Sequence, residues 1–147
     1  MGETSVAGSA GNAGGIIGAI ALIAVLIGAA VAYNSFKYRG FRPRTVRTEL
    51  SSDQLRLIFE QTVSGKGWTI VDDGNPIVAQ SGLLAGIRQQ IALTTAPVAT
   101  GTNARIQVVR YSKKVLGGPT KAYTLRWRMS AFLAEVQRAD LHATIAG

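Results

Sequence analysis

The sequence contains no cysteine and a single histidine, His142, and these two scarcities exclude several classes of chemistry. Without thiols the chain forms no disulfide, no cysteine-ligated zinc or iron–sulfur centre and no thiol nucleophile. One histidine cannot form a histidine-rich metal site, and it argues against histidine-based acid–base catalysis. We therefore expect no catalytic, cofactor-binding or metal-binding residues, and we predict that the protein is not an enzyme and uses no cofactor.

Acidic residues are also scarce. The eight Asp and Glu residues are outnumbered by sixteen Lys and Arg residues, which leaves a formal net charge of +8. Such an excess favours an anionic partner, and two common kinds are nucleic acid and the anionic cytoplasmic leaflet of a membrane. The choice between them depends on what lies beside the basic residues.

A long stretch without any charge lies near the N-terminus: Gly14 to Tyr33 reads GGIIGAIALIAVLIGAAVAY. As a helix this run is about 30 Å long, which matches the hydrocarbon core of a bilayer. The sequence therefore predicts a disordered tail over residues 1–13 and a transmembrane helix over residues 14–36. A cleaved signal peptide is the alternative interpretation, and the absence of Lys and Arg before Lys37 opposes it, because such peptides begin with a basic segment.

Basic residues follow this run, whereas only Glu3 precedes it as a charged residue. The positive-inside rule then predicts a single-pass plasma-membrane protein whose N-terminus is outside and whose C-terminal domain is cytoplasmic. Residues 37–48 form a predicted juxtamembrane linker. Its basic residues either bind anionic lipid headgroups or act only as a topology signal; nucleic acid is disfavoured, since lipid phosphates compete nearby. These residues are Lys37, Arg39, Arg42, Arg44 and Arg47.

Small residues form a stripe along the predicted span at a spacing of about 3.5 residues. Such stripes let two helices approach closely within a bilayer, where packing rather than water drives association. We therefore predict a partner helix in a larger integral membrane complex. The alternative is that Gly and Ala are common in any membrane span of an Ala-rich proteome. The predicted packing face is Gly14, Gly18, Ala21, Val25, Gly28 and Ala32.

Residues 49–147 have the pattern of one small folded domain. Ser51 and Gln54 are spaced as a capping box that begins a helix, and Gly65 ends it. The sequence DDGNP, residues 72–76, is strong turn chemistry between two strands. Hydrophobic alternation and helical spacing then predict the remaining elements. The predicted strands are 68–71, 77–80, 87–95 and 105–111, and the predicted final helix is 120–140. Loops are predicted over 97–103 and 113–119.

The predicted fold class is therefore α+β: one N-terminal transmembrane helix followed by a helix, a four-stranded antiparallel sheet with one face covered, and a second helix. Residues 120–129 leave an ambiguity, because YTLRWRM also alternates like a strand. The basic residues of this half either bind an acidic partner or anionic headgroups, or form a solvated surface. They are Lys113, Lys114, Lys121, Arg126 and Arg128.

Motifs for chemistry are weak throughout. Asp72 and Asp73 are adjacent acids, but they belong to the turn, and the spacing of oxygen ligands for calcium is missing. The stretch 116–121, LGGPTK, lacks the GxxxxGK[ST] pattern of a phosphate-binding loop. His142 lies in a terminal segment where a solvated or interface position is favoured over catalysis. An enzyme with an undetected site stays open as a third hypothesis.

The chain is rich in Ala, Gly, Arg and Val, and it combines a small-residue span, a basic cytoplasmic flank and a small α+β domain. In this layout it resembles the single-span accessory subunits of the actinobacterial respiratory supercomplex that joins cytochrome bc to a cytochrome aa3 oxidase. The resemblance covers the whole chain and contains no signature motif. It implies a subunit of an electron-transport complex that carries no haem or copper.

We therefore expect a non-catalytic, membrane-anchored accessory subunit whose helix packs on partner helices and whose cytoplasmic domain braces the complex. The alternative is a membrane-tethered module that binds anionic lipid headgroups or another anionic ligand. A concave pocket with basic groups in the C-terminal domain would favour the second hypothesis. Patterned small residues and the absence of catalytic motifs favour the first.

Overall fold

The structure is a computed structural model that describes residues 10–82, 88–111, 113–114, 118–119 and 122–147. It divides between Phe36 and Lys37 into two compact units. The first unit contains a long helix, and the second contains an antiparallel sheet with further helices. The α+β class and the N-terminal apolar helix are thus confirmed.

The first helix, α1, extends from Ala10 to Arg39. It begins earlier than the predicted span, so residues 10–13 of the predicted disordered tail are helical. Residues 1–9 of that tail lie outside the described part. The helix ends before Gly40 and Pro43, since proline lacks the N–H that a continuing helix needs. Lys37 and Arg39, assigned to a linker from the sequence, instead belong to the last turn of α1.

The second unit is built on one six-stranded antiparallel sheet with the spatial order β2-β3-β4-β5-β1-β8. Two helices, α2 (Ser52–Val63) and α3 (Ala122–Ala139), contact each other and the sheet. A separate two-stranded ribbon pairs β6 (Lys113–Lys114) with β7 (Gly118–Pro119). The strands of the large sheet are β1 (Arg44–Thr48), β2 (Trp68–Asp72), β3 (Ile77–Ser81), β4 (Gln90–Val98), β5 (Gly101–Arg110) and β8 (Thr144–Ala146).

The prediction of four strands is wrong, because the sheet also contains β1 and β8. The sequence of β1, RTVRT, lies in the predicted linker and carries one buried aliphatic residue, Val46. Its strand conformation comes from antiparallel pairing with β5 on one side and β8 on the other. A short polar segment of this kind has too little hydrophobic alternation to be recognised alone.

The predicted loop over 97–103 is also replaced by regular structure. Strands β4 and β5 pair as far as Val98 opposite Gly101, so only a tight turn separates them. Gly101 has a φ of 136°, and a Cβ placed on it would lie 2.0 Å from the carbonyl oxygen of Thr48. The hairpin therefore passes so close to the end of β1 that a side chain does not fit at this position.

Residues 122–129 are helical, which resolves the ambiguity in favour of α3 for the described residues. Leu125, Met129, Phe132 and Val136 are buried at helical spacing, so packing against the sheet and α2 selects the helix. Phe132 meets Phe59 of α2 edge to face, with ring centroids 5.9 Å apart. Strand propensity at the start of this segment is overridden by burial of one helical face.

The capping box at the start of α2 is confirmed. The Ser51 hydroxyl accepts a hydrogen bond from the Gln54 N–H at 3.2 Å, and the Gln54 side chain accepts one from the Ser51 N–H at 2.9 Å. The apolar face of α2 packs on the inner face of the sheet, and together they form the core. Its largest fully buried aliphatic residues are Leu55, Ile77, Ile91, Leu93, Ile106 and Leu125.

Candidate functional site

Helix α1 is exposed along its whole apolar stretch, and bulky residues such as Ile16, Ile23 and Leu26 are each more than half exposed. It is long and apolar enough to cross a membrane over Gly14–Tyr33. All six residues of the predicted packing face are exposed. A Cβ added at Gly14, Gly18 or Gly28 would meet open space, so the small residues at these positions satisfy no contact within the described chain.

The five basic residues after the span are divided between two elements. Lys37 and Arg39 end α1, Arg42 is exposed in the connection, and Arg44 and Arg47 lie on β1. The Arg44 guanidinium donates a hydrogen bond to the carbonyl oxygen of Gly147, so this side chain holds the C-terminus. Arg47 is exposed on the other face of the same strand. These residues therefore belong to two elements and the connection between them, and not to one linker.

Arg128 differs most from its expected position in a basic surface patch, because it is only 4 % exposed. Its guanidinium donates hydrogen bonds to the carbonyl oxygens of Val63, Ser64 and Gly65 at the C-terminus of α2. Those carbonyls lack partners within the helix, and the negative end of the helix dipole favours a cation there. Burial lowers the pKa of Arg128, and the guanidinium still remains charged at neutral pH.

The chain reverses directly after α2 so that these carbonyls converge. Gly65 has a φ of 82°, a left-handed conformation that glycine adopts without strain, and it exchanges two backbone hydrogen bonds with Trp68. The Arg128 guanidinium then lies 5.0 Å from the centre of the Trp68 ring. Lys66 covers Trp127 in the same way at 5.5 Å. These cation–π contacts join α3 to the beginning of β2.

The remaining members of the expected basic patch do not form one described surface. Lys121 and the side chains of Lys113 and Lys114 lie outside the described part of the chain. Arg126 approaches Gly40, since a Cβ on that glycine would lie 2.2 Å from the Arg126 side chain. The sequence did contain a signal for Arg128: it lies three residues after Leu125 and four before Phe132, on the buried stripe of the helix.

Asp140 joins the end of α3 to the end of β1. Its carboxylate accepts hydrogen bonds from the Thr48 hydroxyl at 2.6 Å, the Glu49 N–H at 2.9 Å and the His142 N–H at 2.9 Å. These donors, led by the Thr48 hydroxyl, lower the pKa of Asp140 below its usual value of 3.8. The imidazole of His142 is exposed and lies 4.0 Å away. Asp140 therefore stabilises a junction of the fold.

One face of the sheet faces away from α2 and α3. Strand register places Thr45 opposite Arg105 and Arg47 opposite Asn103, and it places Thr94 opposite Arg105 and Ala96 opposite Asn103. A shallow depression of about 300 Å³ is centred on these strands. Because β1 was not recognised from the sequence, the sequence did not predict this surface. We define the open sheet face as Thr45, Arg47, Thr94, Ala96, Asn103 and Arg105.

Comparisons of the chain with protein-family models, with curated proteins and with solved structures found no match. Among the described residues, no three His, Cys, Asp or Glu side chains are grouped as metal ligands. The features that bear on function are therefore the exposed apolar helix, the open sheet face, and the charged side chains of Arg128 and Asp140, which bind other groups of the fold.

Replacing Arg128 with Ala is expected to lower the free energy of unfolding by about 2–3 kcal/mol, because carbonyls at the end of α2 lose a charged donor. Arg128→Lys should recover only part of this loss, since an ammonium does not reproduce the planar fork of donors. Guanidinium unfolding of the full chain in detergent micelles, followed by tryptophan fluorescence, measures both. Arg138→Ala on the same helix is the control and should change stability by less than about 0.5 kcal/mol; an equal loss in both variants would contradict the assignment.

Asp140→Asn is expected to lower the thermal midpoint at pH 7. Since the folded-state pKa of Asp140 lies below 3.8, its ionised carboxylate stabilises the fold fully above about pH 4 and loses this effect as the pH falls through the folded-state value. The difference between wild type and variant should therefore narrow below about pH 4. Thermal unfolding between pH 7 and pH 2.5 measures it, and a difference that stays constant over this range would refute the role of the charge.

Proposed function

We propose that the protein is a non-catalytic, membrane-anchored accessory subunit of a larger membrane complex. The observation that carries this proposal is α1, whose apolar residues are exposed on all sides over a length sufficient to cross a bilayer. A single helix of this kind leaves a large apolar surface in water, and both lipid and partner helices remove that cost. The predicted respiratory oxidase supercomplex is the proposed setting.

The charged groups of the second unit support a bracing domain. Arg128 satisfies carbonyls of α2, and Asp140 accepts donors from the end of β1 and the segment after α3. Buried ionic groups in a catalytic site are generally aimed at a cleft, where their pKa values are adjusted to the reaction. Here Arg128 is engaged with the fold itself, and Asp140, although it lines a small notch, accepts its hydrogen bonds from groups of the fold. A rigid domain with this use of charge suits a structural subunit.

The proposed orientation has the N-terminus outside and the second unit in the cytoplasm of a single-pass plasma-membrane protein. Its support is the cluster of basic residues that begins at Lys37, because positive residues are retained on the cytoplasmic side. A cleaved signal sequence is the competing interpretation of the same helix. The alternative function, a membrane-tethered module for anionic headgroups, is supported by the arginines of the open sheet face.

Association with partner helices is tested by blue-native electrophoresis of detergent-solubilised membranes. Wild type should migrate within a larger complex, whereas the double variant Gly18→Leu/Gly28→Leu should migrate mostly as free chain. The leucines fit the isolated helix, because both glycines face open space, so a loss reports on the partner. A wild-type chain found only as free monomer would overturn the proposed function.

The control for this experiment is Ala19→Leu/Ala30→Leu, which adds similar bulk on the opposite side of α1 at 100° per residue. It should keep the chain in the complex. If both double variants remain assembled, the small residues are not the contact, and the subunit associates through another surface. Membrane extraction at alkaline pH accompanies each variant, and all of them should stay in the membrane pellet.

Topology is tested by single cysteines, since the chain has none of its own. Ala134→Cys is exposed on α3 and should resist a membrane-impermeant maleimide in intact cells while reacting fully after lysis. Ser5→Cys, on the other side of the span, should react in intact cells. Labelling of Ala134→Cys in intact cells would place the domain outside, and loss of the Ser5 label from the mature chain would indicate a cleaved signal sequence.

A further inference from the structure

The open sheet face is the surface of the second unit that α2 and α3 leave uncovered. Along β1 the exposed residues Thr45 and Arg47 alternate with the buried residues Val46 and Thr48. The same alternation on β5 turns Asn103 and Arg105 outward. Directly opposite residues in antiparallel strands have Cβ atoms about 5 Å apart, and diagonal neighbours lie about 7 Å apart. Arg47 and Arg105 are diagonal neighbours across Thr45 and Asn103.

The depression on this face is lined by short side chains and by hydrogen-bond donors. Thr45, Thr94 and Ala96 are short, while Asn103 and Arg105 carry an amide and a guanidinium. Its volume of about 300 Å³ lies at the small end of ligand pockets. Hydroxyl, amide and guanidinium groups together are the donors that bind phosphate oxygens, and arginine does so with two parallel bonds.

No described residue that lines the depression is acidic. Two carboxylates lie at the margins of the same face. Asp72, at the outer edge of the sheet, accepts a hydrogen bond from the Gly74 N–H at 2.8 Å. Glu49 follows β1 and lines a separate notch with Arg47 and Asp140. The charge at the depression is therefore positive, because Arg105 lies in it and Arg47 lies beside it.

The chemistry of the face discriminates between classes of anion. Single-stranded nucleic acid is held by aromatic side chains on which bases stack, and no described residue lining the depression is aromatic. A protein interface usually has a centre of large apolar or aromatic side chains, whereas the described lining here consists of two threonines, two alanines, an asparagine and an arginine. A phosphate headgroup requires neither feature. Short polar residues beside an arginine suit a phosphate group.

The geometry points to the open sheet face as a binding site for the phosphate headgroup of an anionic phospholipid. Charge complementarity selects an anion, and covalent linkage to α1 selects its source. If α1 is anchored as proposed above, on which this inference rests, the linkage keeps the face at high effective concentration of lipid headgroups. Thr45, Thr94 and Asn103 donate to phosphate oxygens, Arg105 binds them by a bidentate contact, and Arg47 supplies the second positive charge.

The site is tested with the full ¹⁵N-labelled chain in neutral detergent micelles doped with phosphatidylglycerol. Backbone amide resonances of Thr45, Thr94, Asn103 and Arg105 should shift and saturate as the anionic lipid fraction rises. The same fraction of phosphatidylcholine should leave them unchanged. Arg47→Gln/Arg105→Gln should raise the half-saturating fraction about 10-fold, as expected when two charged phosphate contacts are lost. Dispersed resonances of the variant verify that it is folded.

Arg138→Gln, an exposed arginine on α3, is the matched control and should keep the wild-type saturation curve. Saturation by inorganic phosphate alone at the same concentration would overturn the lipid source and assign a free-anion site. Shifts confined to residues 37–42 would overturn the sheet-face site and assign binding to the basic flank. Neither result bears on the proposed function, because that proposal is tested by blue-native electrophoresis of membranes. The two proposals therefore fail separately.

Discussion

The fold of the second unit depends on the contact between Arg128 and the carbonyl oxygens at the end of α2. The Val63 carbonyl oxygen at this helix end is buried and needs a donor, and a guanidinium with several donors in one plane supplies it and the neighbouring carbonyls. Because the donor belongs to α3, the contact holds both helices against the same face of the sheet. The stacked ring of Trp68 ties the beginning of β2 to the same group. Removing the Arg128 side chain would leave the buried carbonyl oxygen of Val63 without this donor.

Holding both helices on one face has a functional consequence, since it leaves the other face of the sheet open. Strand β1 completes that face by placing Thr45 and Arg47 beside Asn103 and Arg105 of β5. Asp140 locks the end of β1 through the Thr48 hydroxyl, so the strand that follows the basic flank belongs rigidly to the domain. Strand β1 follows the proposed anchor in the chain, and it contributes both to the junction at Asp140 and to the proposed headgroup site.

Elements with a strong local signal were predicted correctly from the sequence. The capping box at Ser51, the turn at residues 72–76 and the helical spacing of Leu125, Met129 and Phe132 all identified elements that the structure contains. Elements whose conformation depends on pairing with other strands were not predicted. Strand β1 is short and mostly polar, and β8 has only three residues. Strand β1 pairs with β5 on one side and with β8 on the other, which joins residues far apart in the chain. The open sheet face was missed for the same reason.

Some features can be recognised from the sequence alone, because each depends on composition or on spacing within one segment. They are the apolar stretch Gly14–Tyr33, its small-residue stripe, the basic residues after it and the absence of thiols. Which charges are internal and which are available depends instead on tertiary packing. The helical spacing hints that Arg128 is buried, but only the packing shows that it lies against the carbonyls of α2. Arg105 instead lies on an open face. The difference arises from packing between distant segments, which sets the solvent exposure and the partners of each charge.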